Sequence, residues 1–126
     1  MERPARRRVR PPVKPGDVVL VRFPFTDLAT AKKRPALLLA HTPRSSRYRL
    51  ATVAMITSQI EALTLQGDVF LADWKAAGLL HPSLLRLAKI ATIDTELIDK
   101  RVGGLSSSDS RAARLAFQRV FSDWLR

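Results

Sequence analysis

Three consecutive cations, Lys32, Lys33 and Arg34, stand directly before Pro35 and the apolar run "ALLLA" (36–40). A guanidinium is a planar fork of donors that stays charged in almost any environment, so it suits gripping an oxyanion better than accepting a proton. Pro35 and a buried strand behind it hold such a group in place instead of letting it sweep through solvent. Lys32 and Lys33 fit two readings equally well, attraction of a polyanion or an ordinary solvated turn. Arg86, one cation within the apolar "SLLRL" (83–87), either snorkels out of a core or lines a groove, and the groove is the favoured reading. The two histidines, His41 and His81, lie forty positions apart without HxxxH or HExxH spacing. A zinc site is therefore not expected, and with no cysteine there is neither a thiolate site nor a disulfide framework. His41 follows a strand and has the proton-shuttling chemistry of any imidazole, but a lone loop histidine reads as uninvolved. No metal or other cofactor is expected.

The chain that must position these groups has 126 residues, 46% of them apolar and 26% charged, with a net charge of +11. This length suits one domain with a real core, and the apolar content excludes a disordered chain. The first fifteen residues carry Arg3, Arg6, Arg7, Arg8, Arg10 and Lys14 against Glu2, or +5, which leaves +6 on the body. A basic body as well as a basic end points to a polyanionic partner, with nucleic acid ahead of anionic lipid. Pro11, Pro12, Lys14, Pro15, Asp17 and Arg22 interrupt any apolar run after the arginines. Neither a signal peptide nor a spanning helix fits, and a cytoplasmic location is expected.

Residues 1–15 read as a flexible basic arm and 16–126 as the folded domain. "DVVLVRF" (17–23) is β-branched and almost continuously apolar, the pattern of a strand packed on both faces or lying in a tightly bent sheet. "TDLATAKK" (26–33) is a polar connection, and "ALLLA" returns as a second strand, making a hairpin with a long tip. After the basic turn "HTPRSSR" (41–47), "YRLATVAMITSQI" alternates, with Leu50, Thr52, Ala54 and Ile56 on one face and Ala51, Val53, Met55 and Thr57 on the other. "DVFLA" (68–72) is a short strand, "DWKAAG" (73–78) one capped turn of helix, and "SLLRLAKIATI" (83–93) a further strand. "DTELIDK" (94–100) suggests a short capped helix, and "RVGGL" (101–105) a small edge strand weakened by its glycines. "SSSDSRAARLAFQRVFSDWLR" (106–126) reads as a helix whose apolar stripe is Ala113, Phe117, Val120, Phe121 and Trp124. Phe117 and Trp124 are expected in the core, whereas Trp74 either packs or stacks a base. The sum is a mainly β (α+β) chain, a small, strongly bent antiparallel barrel with short helices and a C-terminal amphipathic helix.

The blocks "PGDVVLVRFPFTD", "KKRPALLLA", "VAMITSQI" and "PSLLRLAKIATID", in this order and spacing, resemble the MazF/PemK family of toxins from type II toxin-antitoxin pairs. The likeness runs from about Pro15 to the C-terminus. It implies a barrel of the MazF and CcdB type, related to Src-homology-3-like barrels, paired as a homodimer. It also implies metal-independent cleavage of single-stranded RNA, silenced by a cognate antitoxin with an acidic tail. By position, the family's catalytic Arg before Pro is Arg34 and its Thr at the end of the third strand is Thr57. Ser58 and Gln59 follow as polar residues do in relatives, and Gly16 and Asp17 match the Gly-Asp that opens the first strand. Relatives often carry a Glu about five positions before the Arg. Here that place is Ala29, with Asp27 the nearby carboxylate, and where relatives often place another acid this chain has Ala88. RNA contacts are accordingly expected from Lys32, Lys33, Ser58, Gln59, Arg86 and Asp27, and the general base is unassigned.

In metal-free RNA cleavage the 2′-hydroxyl attacks the adjacent phosphorus, leaving a cyclic phosphate and a 5′-hydroxyl. The reaction asks for charge stabilisation on the phosphorane, a proton acceptor and a proton donor. Arg34 suits the first need, and the Thr57 hydroxyl can add a hydrogen bond to the same oxygens. Two other functions compete: a basic barrel that binds nucleic acid without cutting it, and a CcdB-like gyrase poison.

Overall fold

The computed structural model describes residues 12–23, 32–61 and 64–126. The arginine-rich stretch through residue 11, and Asp27 and Ala29 with the rest of 24–31, lie outside the described residues. Six strands are found: β1 (Asp17–Arg22), β2 (Lys33–His41), β3 (Leu50–Thr57), β4 (Asp68–Phe70), β5 (Leu84–Asp94) and β6 (Ile98–Gly104). They form one antiparallel sheet in the order β4-β5-β3-β2-β1-β6. Two helices follow, α1 (Ser107–Val120) and the single turn α2 (Ser122–Leu125).

Alternation along the strands sends side chains to both faces of the sheet, and both faces are dry. One core holds Val18, Leu37, Ala54, Ile56, Leu85 and Leu87 and is closed by Ala113 and Ala116 of α1. The other holds Val19, Val21, Ala36, Leu38, Val53, Ile93 and Ile98, with Phe23 beside them. No α-helix contributes to this second core among the described residues; Val13, Met55, Ala91 and Leu97 pack against the cluster, and Val19, Val21, Leu38 and Val53 are fully out of water. Burying each of these side chains is worth about 1.5–3 kcal/mol. The continuous apolarity of "DVVLVR" thus has its cause in a strand covered on both sides. The strand ladder itself is open, with β4 and β6 as its edges.

Three expectations change on contact with the structure. First, β2 begins at Lys33, not at Ala36, which brings Lys33, Arg34 and Pro35 into the strand. Pro35 is tolerated because it pairs with Leu20 of β1, while pairing with β3 starts only at Ala36, so the proline sits where β2 is still an edge. Second, Trp124 is 85% exposed and Phe117 37% exposed. Helix α1 stops at Val120, with Phe121 outside helical geometry, and the apolar stripe loses its phase there. The rings of Phe117 and Phe121 instead pack on each other, centroids 4.8 Å apart. Third, the glycines of β6 do more than weaken an edge: a Cβ at Gly103 would lie 2.2 Å from the carbonyl oxygen of Ala77. The residue is bare because another backbone passes over it. Of the small helices, "DTELIDK" yields only a 3-10 turn, Thr95–Leu97, capped by Asp94 Oδ1 accepting from the Glu96 N–H at 2.7 Å. Trp74 packs against the helix-side core, with Lys75 Nζ 5.5 Å from its ring.

Candidate active site

The site lies where β2 begins and β3 ends. In the β2–β3 ladder Ala36 faces Met55 and Leu37 faces Ala54. Arg34 and Thr57 each lie two residues beyond the Ala36–Met55 pair, at the β2 start and the β3 end. On its other side Thr57 pairs with Leu84 at the start of β5, and Met55 pairs with Arg86. Three strand ends therefore bring Arg34, Thr57 and Arg86 to one end of the sheet, and all three line an open cavity of about 670 Å³.

Each side chain is held differently. Arg34 is exposed, and among the described residues its guanidinium takes no carboxylate partner. Its five donors are left for a ligand. The Thr57 hydroxyl oxygen accepts the Gln59 N–H at 3.1 Å. That bond uses a lone pair and leaves the hydroxyl proton to donate elsewhere. Arg86, its side chain 12% exposed, reaches Asp68 Oδ2 at 3.5 Å across the β4–β5 pair, and Lys33 Nζ reaches Asp99 Oδ2 at 3.3 Å. Lys89 and Lys100 complete a lining with five cations and, among its described residues, no carboxylate. This is an anion-binding surface by composition, in which Lys33 and Arg86 are paired while Arg34, Lys89 and Lys100 take no described carboxylate.

Residues 72–83, read from the sequence for the turn at 73–78 but not as part of a site, form another wall. The expected single turn is present, closed by the Ala77 N–H on the Asp73 carbonyl at 3.1 Å and ended by Gly78 at φ +89. Two devices fix it. Asp109, buried in the first turn of α1, accepts the N–H groups of Ala72 at 3.1 Å and Asp73 at 2.9 Å. Gly78 and Gly103 let this turn and β6 approach backbone to backbone, since a Cβ on Gly78 would lie 2.3 Å from the Val102 carbonyl oxygen. From there Leu79, Leu80, His81 and Ser83 line the cavity.

Of the residues expected to touch RNA, Lys33, Ser58, Gln59 and Arg86 line the cavity with Arg34 and Thr57. Lys32 is exposed beside it but is not part of the lining, and Asp27 lies outside the described residues. His41 is at the far end of β2, its Nδ1 2.9 Å from the Thr42 carbonyl oxygen, away from the cavity as expected. Sequence reasoning missed His81, Lys89 and Lys100. Their only local signal was residue type, because their place depends on contacts distant in sequence. Among the described residues no group of three or more His, Cys, Asp or Glu is gathered as a metal would require.

A family model described as PemK-like, MazF-like toxin of type II toxin-antitoxin system matches residues 14–121. The chain belongs to this family. The PemK/MazF match covers both cores, the cavity and α1, and begins just before β1. Among solved structures, the Mycobacterium tuberculosis toxin MazF-mt6 is 23% identical with a TM-score of 0.66, over 84% of this chain and 96% of that one. An endoribonuclease in complex with its cognate antitoxin from Mycobacterial species is 13% identical with a TM-score of 0.64, over 86% and 93% of the two chains. The MazE-MazF complex from Deinococcus radiodurans is 16% identical with a TM-score of 0.62, over 86% and 94%. At these identities the likeness is one of fold. No curated protein matches the chain. Among the described residues no helix is long and apolar enough to cross a membrane.

Proposed function

We propose that this PemK/MazF family member is a sequence-specific, metal-independent endoribonuclease, the toxin of its pair, which cleaves single-stranded mRNA and so stops translation and growth. The observation that carries the reading is the cavity shared by Arg34 and Thr57, lined by a guanidinium with no described carboxylate partner and by a hydroxyl with its proton to give. The phosphodiester sits between them. As the 2′-hydroxyl attacks, charge grows on the equatorial oxygens, and donors already aimed there stabilise the phosphorane more than the ground state. Lys33, Arg86, Lys89 and Lys100 draw the strand in and hold its neighbouring phosphates. Ser58 and Gln59 follow Thr57 along the rim and contact the flanking nucleotides, and Lys32 and Asp27 belong to the same approach.

In this reading the sheet serves as the small barrel of the MazF and CcdB type, two copies pair, and the protein acts in the cytoplasm. The partner is an acidic antitoxin whose negative segment competes with RNA for the cationic cavity. The antitoxin-bound relatives of the same fold support that expectation. The test is purified protein with single-stranded RNA in EDTA. Products ending in cyclic phosphate and 5′-hydroxyl, made by the wild type and lost in Arg34→Ala and Thr57→Val, are expected. Arg34→Lys should also be slow, since a point charge does not replace a planar fork. RNA retained but left whole would favour a non-catalytic binder, and stalled gyrase with intact RNA a CcdB-like poison.

A further inference from the structure

Attack by the 2′-hydroxyl needs an acceptor for its proton, and the described lining of the cavity is rich in donors and poor in acceptors. Lys33 and Arg34 enter from β2, Arg86 and Lys89 from β5, and Lys100 from β6. None of these carries a lone pair in its charged form. The carboxylates that pair with lining cations lie outside the lining and are engaged, Asp68 with Arg86 and the Leu65 N–H, Asp99 with Lys33. Ser83 gives its own proton to the His81 carbonyl oxygen at 2.7 Å, and a threonine hydroxyl is a weak base. His81 is the described lining residue whose neutral ring offers a nitrogen lone pair as acceptor.

Its surroundings are those of a positioned group. Leu79 on one side and Ser83 on the other are buried anchors, and the Ser83 carbonyl accepts the Leu71 N–H at 3.0 Å. Pro82 restricts the backbone of the residue before it, which is His81. The segment is tied further back by Asp109 and by the contact of Gly78 with Val102. An exposed imidazole is thus presented on a fixed wall facing the cations.

Resting on the endoribonuclease reading above, we infer that His81 is a catalytic residue of this cavity, the general base of RNA cleavage. Its neutral ring takes the 2′ proton as the O2′–P bond forms and the P–O5′ bond breaks. The departing 5′-oxygen is protonated from solvent, and the imidazolium then returns its proton to water. Arg34 and Thr57 carry the charge of the phosphorane meanwhile.

The test uses the full chain and a short RNA that the wild type cuts, with single-turnover rates followed between about pH 5 and 8. The wild-type rate should climb with pH and level off. His81→Asn and His81→Ala should cut about 10²–10³ times more slowly, with a rate that keeps climbing with hydroxide and no plateau. Affinity for the 2′-deoxy version of the same oligonucleotide should stay within about threefold, since the ring is not asked to bind phosphate. RNA cut by the wild type and by His81→Asn alike overturns this assignment alone. So does a plateau that survives in His81→Asn but vanishes in Asp27→Asn. RNA left whole by the wild type overturns the endoribonuclease reading and the assignment together.

Discussion

Asp17 and Asp109 lie at the roots of the fold, both 3% exposed, and both are surrounded by donors. Asp17 accepts the Lys14 N–H at 2.9 Å and meets Arg101 Nε at 3.1 Å, while Asp109 accepts two backbone N–H groups from the neighbouring turn. Arg34, at the cavity, shows the reverse: exposed, and without a described carboxylate. A charge whose partners are built in contributes to folding; one left open on a rigid strand end is available to a ligand. Arg34 at the cavity is in the second state, although Lys33 and Arg86 beside it are paired, and Asp109 at the junction of α1 with the 72–83 segment is in the first.

That contrast can be broken by exchange of effects. The largest should come from Arg34→Ala, which is expected to slow RNA cleavage about a hundredfold, a loss of about 3 kcal/mol in transition-state stabilisation. Its melting temperature should match the wild type; a clear drop would mean that Arg34 is a structural group after all. Asp109→Ala should do the opposite first, lowering folding stability by about 1–3 kcal/mol in urea titration, because two backbone donors lose their buried acceptor. Activity should then fall through displacement of the cavity wall, and a variant as stable as the wild type would dissolve the distinction. Lys100→Ala should leave the single-turnover rate at saturating RNA unchanged and lower the slope of log affinity against log salt by about 0.7. An unchanged slope would remove Lys100 from the RNA path. Trp124→Ala, at an exposed position, should change stability by less than about 0.5 kcal/mol; a larger loss would show that its ring is covered in solution.

How much of this was legible in the sequence depends on range. Strands β1, β3 and β5 announced themselves through β-branched and alternating residues, and the alternation of β3 placed Ala54 and Ile56 on one core and Ala51 and Val53 on the other, as found. The hairpin of β1 and β2 followed from the same local logic. That Arg34 and Thr57 share a cavity with Arg86 was accessible because motif order fixes which strand ends meet. Local pattern failed where a distant contact decides. Pro35 was expected at a strand start or edge and lies at an edge, but the extension of β2 back to Lys33 was missed, because nothing in the neighbouring residues says that β3 pairs only from Ala36 onward. The α1 stripe was read past Val120 because apolar spacing carries no mark of where a helix breaks. His81 was read only for its lack of metal-ligand spacing, because its place at the cavity depends on a segment tied to Asp109, Gly78 and Gly103, residues up to twenty-eight places away.

The meeting of Gly78 with Val102 and of Gly103 with Ala77 leaves no room for a methyl group on either side. In a saturation library read out by growth arrest, both columns should be empty of substitutions, although neither residue carries a functional group. A second-site suppressor for one should not be found at the other, because each would first obstruct a main-chain carbonyl. Toxicity in this molecule would then be heritable only together with two hydrogen atoms.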